Sequence, residues 1–141
     1  MARHDWKTDA IANVPLFSRC SRSEVARIAK LADEIDLKAG KTLTRAGEQG
    51  SEFFVILEGE ADVRSDSSVL RPLGPGDFFG EIALVTDTPR TATVTALAPI
   101  RALVITGRAF RLLMRDSPQI QGKVLEAVAD RLAAMTSSKT L

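Results

Sequence analysis

The spacing of apolar residues divides the chain into three zones. In the first, to about residue 34, Val25, Ile28, Ala29 and Ala32 recur at i, i+3, i+4 and i+7 and share one face of a helix. Ser21-Arg22-Ser23-Glu24 precedes that face with capping-box spacing, so the serine hydroxyl serves an early amide and Glu24 reaches back. Upstream, Asp9 to Val14 predicts a short turn of helix stopped by Pro15, with Leu16 and Phe17 as an apolar plug and a loose N-terminus ahead of it. The second zone, 35–106, changes period. Short apolar or alternating runs (52–57, 61–64, 69–73, 92–96 and 102–105) are separated by turn signals such as Ala39-Gly40, Gly50-Ser51, Glu58-Gly59 and Gly74-Pro75-Gly76-Asp77. Ala92, Val94 and Ala96 alternate with Thr93 and Thr95, as in a half-buried strand. Phe53 to Leu57 is apolar on both faces and predicts a central strand. A zone of this length, with turns every 8–12 residues, is expected to hold six or more strands, the five runs named among them, and points to a sandwich or barrel. The third zone, 107–136, returns to helix: a short segment from Gly107 to about Asp116, then Ser117-Pro118 as N-cap and first helical residue. Val124, Leu125, Val128, Leu132 and Met135 form a stripe along this last helix, and the polar residues after it are expected to fray.

Composition narrows the function. The 141 residues suit one domain, 1–141, and no linker, repeat or low-complexity tract interrupts them. With 19 basic and 18 acidic residues the net charge is +1, which offers no basic field for direct nucleic-acid binding. One cysteine, Cys20, and one histidine, His4, leave no ligand set for a Cys-rich or His-based metal centre and no histidine-dependent triad. The charged N-terminus is not a signal peptide, and the densest apolar runs fall far short of the ~20 residues of a membrane span. The expectation is a cytoplasmic, soluble, non-enzymatic domain without membrane contact.

One segment carries chemistry. In Phe79-Gly80-Glu81-Ile82-Ala83-Leu84, Gly80 allows close approach of a ligand to the backbone. The residues after it can make a short helix whose first amides face outward toward an anion. Pro89-Arg90-Thr91-Ala92-Thr93-Val94 follows, with Arg90 mounted at the start of a strand. An anion held by amides and Arg90 would sit badly beside Glu81, unless it is tethered to a sugar whose hydroxyl faces the carboxylate. The site composition therefore implies a sugar phosphate or nucleotide.

These two strings, with Gly47-Glu48 ahead of a Phe-Phe-Val-Ile-Leu strand ending Glu58-Gly59, resemble the phosphate-binding cassette (79–94) of cyclic nucleotide-binding domains. Such domains occur in protein kinase A regulatory subunits, cyclic-nucleotide-gated channels and catabolite-activator-type regulators. The resemblance spans about residues 10–135. It implies a mainly β fold, an eight-stranded antiparallel jelly-roll barrel with N-terminal helices (1–34) and a C-terminal lid helix. It implies that Arg90 pairs with the exocyclic phosphate oxygens, and that Glu81 and the Gly80 backbone hold the ribose 2′-hydroxyl. The amides of Ile82, Ala83 and Thr91 complete the cradle beside Phe79, and the C-terminal helix, 118–135, closes over the base as a lid. Arg131 lies late on that helix, where it either caps the purine or is an exposed helix arginine. The implied ligand is cAMP, with cGMP as the alternative because a threonine follows the arginine; that type can bond the guanine amino group. The implied function is a sensor module whose lid helix shifts and is read by an effector, with a homodimer through that helix compatible with its stripe. Against this stand a metal-dependent cupin, which lacks its histidines, a DNA-binding regulator, and a degenerate barrel that binds no nucleotide and only mediates contacts.

Overall fold

The computed structural model describes residues 2–65 and 68–136. The N-terminal helix α1 (Ala2–Ala12) is longer than the turn expected from sequence, and the residues around His4 are helical rather than loose. Its support is tertiary: Lys7 donates to the carbonyls of Ala29 and Ala32 at 2.6 and 2.7 Å, at the open C-terminal end of the next helix. A 3-10 turn at Pro15–Phe17 buries Leu16 and Phe17 as the plug. Helix α2 (Arg22–Leu31) opens with the complete capping box of Ser21 and Glu24.

Eight strands follow among the described residues: β1 (Asp33–Leu37), β2 (Thr42–Thr44), β3 (Glu52–Glu58), β4 (Ala61–Ser65), β5 (Ser68–Leu73), β6 (Phe78–Phe79), β7 (Thr93–Ala96) and β8 (Ile100–Thr106). The first begins two residues earlier than the helix-to-strand change expected at 35. Strands β1, β2 and β6 are not among the runs that the sequence pattern marks. The antiparallel pairs β1·β8, β2·β7, β3·β6 and β4·β5 are those of one long hairpin rolled up on itself. The rolling gives two four-stranded sheets, β1-β8-β3-β6 and β2-β7-β4-β5. This is the jelly-roll order.

Strand β3 lies inside its sheet, and its two faces serve two cores. Phe53 and Val55 join Leu103, Ile105 and the helices in one buried cluster. Phe54 and Ile56 join Ala61, Val63, Val94, Ala102 and Val104 between the sheets. Burying each large apolar side chain contributes about 1.5–3 kcal/mol, so a strand apolar on both faces is well used in the middle layer.

Short α3 (Glu81–Thr86) interrupts the strands, and α4 (Gly107–Asp116) and α5 (Pro118–Thr136) close the chain. Ser117 caps α5 as the sequence predicts, accepting from the Ile120 amide at 3.4 Å. The apolar stripe of α5 is split. Val124 and Val128 are buried with Ile120, whereas Leu125 and Leu132 are exposed. Residues at i and i+4 from Ile120 face the core, and Leu125 and Leu132 are rotated out of that row. The Met135 side chain and the tail beyond Thr136 lie outside the described residues.

Candidate functional site

The site begins where β6 ends. Phe78 and Phe79 pair with Val55 and Phe54 of β3, and the Phe79 ring stacks on Phe54 with centroids 4.8 Å apart. Gly80 then turns the chain at φ +98°. A Cβ there would stand 2.7 Å from the Glu52 carbonyl oxygen and 2.8 Å from Arg90 Nη1, so both conformation and space demand glycine. Helix α3 starts immediately, and its first amides have no acceptor within the helix. Ile82 and Leu84 anchor it by packing into the helix-side core. It ends at Asp87 in the left-handed region (φ 53°), and Pro89 leads the chain back toward β7.

Arg90 is 8% exposed. Its backbone is gripped by the β2–β3 loop: its amide donates to the Glu48 carbonyl and its carbonyl accepts from the Gly47 amide, both at 2.8 Å. Its guanidinium donates to the Glu52 carbonyl at 2.8 Å and to the Gly80 carbonyl at 3.3 Å. None of the ion pairs among the described residues includes Arg90. Burial pushes its pKa down, and the charges of Glu52 and Glu81 oppose that shift. A guanidinium remains protonated in proteins, so this is a buried cation bonded only to neutral carbonyls.

Glu81 is 1% exposed. Its Oε2 accepts from Arg131 Nη1 at 2.5 Å, while its Oε1 is buried without a partner. Arg131 reaches down from α5, also donates to the Phe78 carbonyl at 2.7 Å, and lies over the Phe78 ring at 5.0 Å. Its guanidinium is therefore bonded to the turn before α3 rather than left to solvent on the helix surface.

All eight residues singled out from sequence (Phe79, Gly80, Glu81, Ile82, Ala83, Arg90, Thr91 and Arg131) line one cavity of about 300 Å³. That volume is at the small end of the range for small-molecule sites. The rest of this cavity's lining comprises an apolar wall of Val63, Leu70, Leu73 and Val94, with Thr44, Arg71, Ala92 and, from α5, Asp130 and Ala134. Sequence reasoning missed this wall. The alternation in 61–64 and 92–96 marks inward positions, but nothing in it says which of them face a void.

Residues 34–117 match the family model of the cyclic nucleotide-binding domain. The chain belongs to that family. A cAMP-dependent protein kinase regulatory subunit of Mycosarcoma maydis is 39% identical over 74% of this chain and 22% of its own length. A cyclic nucleotide-gated potassium channel of Mesorhizobium japonicum is 33% identical over 91% of this chain and 36% of its own. The chain thus spans between about a fifth and about a third of these relatives. A solved structure of the regulatory domain of Toxoplasma gondii protein kinase A with cAMP superimposes with a TM-score of 0.83 at 21% identity, covering 92% of this chain and 51% of that one. At that identity the likeness supports the jelly-roll fold. Among the described residues, no helix is long and apolar enough to cross a membrane.

Proposed function

We propose that this domain is a cyclic nucleotide sensor with cAMP as its ligand. One observation carries the reading: a single cavity is lined both by Arg90, a buried cation without a carboxylate partner, and by Glu81, a buried carboxylate one of whose oxygens has no donor. Inorganic phosphate would answer only Arg90 and would face Glu81 as a like charge. A cyclic nucleotide answers both, its phosphate meeting Arg90 and its ribose hydroxyl donating to Glu81 Oε1. The amides of Ile82, Ala83 and Thr91 surround the phosphate, and the apolar wall of Val63, Leu73 and Val94 receives the base. The reading assigns no reaction, since these groups bind and position without breaking a bond. Two comparisons support cAMP, which is named for both the Mycosarcoma maydis subunit and the Toxoplasma gondii structure. Thr91 on the cavity wall supports cGMP as a second reading.

Helix α5 contributes Asp130, Arg131 and Ala134 to the cavity while Leu125 and Leu132 face outward. A ligand that binds one position of α5 more tightly shifts the helix toward it, and an effector or a second copy then reads the outward face. Calorimetric titration of cAMP, cGMP and 5′-AMP tests the proposal. The cyclic compounds bind the wild type and 5′-AMP does not. Arg90→Ala loses roughly 10- to 150-fold for each charge-assisted bond of about 1.5–3 kcal/mol. Undiminished cAMP binding by Arg90→Ala overturns the assignment.

A further inference from the structure

Gly50 sits in the β2–β3 loop, and its backbone is not in the left-handed region, so turn geometry does not explain it. Space does. A Cβ on Gly50 would stand 1.8 Å from Arg90 Nε, 2.2 Å from Cζ and 2.6 Å from Cδ. The stem of the guanidinium lies where the side chain of residue 50 would begin. Gly40, Gly47, Gly74 and Gly122 have nothing within 4 Å of the same hypothetical atom, and Gly59 meets backbone and Ile100. Gly50 is the glycine whose missing side chain leaves a slot for Arg90 from Nε to Cδ.

We propose that Gly50 is the positioning residue for Arg90. The loop from Gly47 to Glu52 then acts as a jig. Glu48 and Gly47 fix the arginine backbone, Glu52 takes one guanidinium nitrogen, and the void at Gly50 lets the stem pass between them. A methyl group at residue 50 evicts the stem and carries the guanidinium off the Glu52 and Gly80 carbonyls that aim it. Arginine is flexible enough to swing outward, so the fold survives while the aim is lost. Small displacements of a charged anchor are costly because its bonds to an anion are directional.

This inference rests on the reading that Arg90 holds the phosphate, and the experiment separates the two. Wild type, Gly50→Ala, Arg90→Ala and the double variant are titrated with cAMP by calorimetry and melted without ligand. The expected result is a loss of at least about tenfold in cAMP affinity for Gly50→Ala. Its melting temperature stays within a few degrees of wild type, and the double variant binds no more weakly than Arg90→Ala alone. Wild-type affinity in Gly50→Ala beside a loss in Arg90→Ala overturns the role of Gly50 and spares the reading. Wild-type affinity in Arg90→Ala overturns the reading itself. Additive losses in the double variant overturn the positioning role, because they mean Gly50 acts through something other than Arg90. If Gly50→Ala does not fold, the double variant removes the clash and regains a cooperative melt; an unfolded double variant overturns the proposal.

Discussion

Replacing Arg131 by alanine removes the one side chain among the described residues that donates to the Glu81 carboxylate, which is 1% exposed, so the cost is set by the desolvation of Glu81. Breaking a buried ion pair from one side costs about 3–5 kcal/mol. Two features reduce that figure. The Arg131 side chain is 32% exposed, and Glu81 lines a cavity that water can fill once the guanidinium is gone. Part of the carboxylate's hydration returns, and the expected loss falls to roughly 1–3 kcal/mol. The bond to the Phe78 carbonyl and the contact with the Phe78 ring are lost with it. For a chain of this size each kcal/mol moves the melting temperature by about 3–5 °C, so Arg131→Ala should melt about 3–15 °C below wild type. Thermal unfolding by circular dichroism measures this. The same substitution in a Glu81→Gln background should cost clearly less, because a neutral amide does not demand a cation. An Arg131→Ala melt within a degree of wild type, or an equal loss in both backgrounds, would refute the argument that a buried charge binds α5 to the cassette.

Two further outcomes follow from the same geometry. If Glu81 Oε1 waits for the ribose hydroxyl, 2′-deoxy-cAMP binds the wild type roughly 10- to 150-fold more weakly than cAMP, the worth of one hydrogen bond to a charged acceptor at about 1.5–3 kcal/mol; equal affinities in calorimetry contradict it. The Glu24 carboxyl is held below its ordinary value of 4.5, chiefly by the Ser21 amide of the capping box. A carboxyl depressed in the folded state contributes stability above its unfolded pKa and loses it as pH falls through the folded value, so between about pH 5 and 3 the wild type loses stability that Glu24→Gln does not. Parallel urea-midpoint curves for the two proteins across that range would contradict the assignment.

The legible features were those whose cause is local. Ser21 and Glu24 cap α2 by bonds three residues apart, and the two-faced run 53–57 announces the middle layer because nothing else needs so many adjacent apolar residues. The illegible ones take their cause from elsewhere. Phe78–Phe79 is too short for any alternation and is a strand only because β3 supplies partners; Thr42–Thr44 depends on β7 in the same way. The extra length of α1 is secured by carbonyls of α2. Gly50 reads as one more turn glycine until the Arg90 stem is seen in its place.

The same distinction orders the site. Gly80, Glu81 and Arg90 are brought together within eleven residues by a turn, a short helix and a proline, and that arrangement can be read as text. Arg131 is fifty positions from Glu81 in sequence and reaches it only because Ile120, Val124 and Val128 seat α5 on the core. Under the proposed function, what Arg131 does on ligand binding therefore decides whether α5 moves at all. A ligand held by Arg90 and Glu81 Oε1 alone interacts equally with every position of α5, and equal interaction shifts no equilibrium however tight the binding. To move α5, the ligand must alter the hold of Glu81 Oε2 on Arg131 or contact α5 itself. A hydroxyl on Oε1 draws density from the shared carboxylate and weakens the other bond, whereas a base stacked under the helix strengthens the contact with it. These push α5 in opposite directions, so the sign of the ligand's effect on the melting loss of Arg131→Ala identifies which of them would drive the proposed switch.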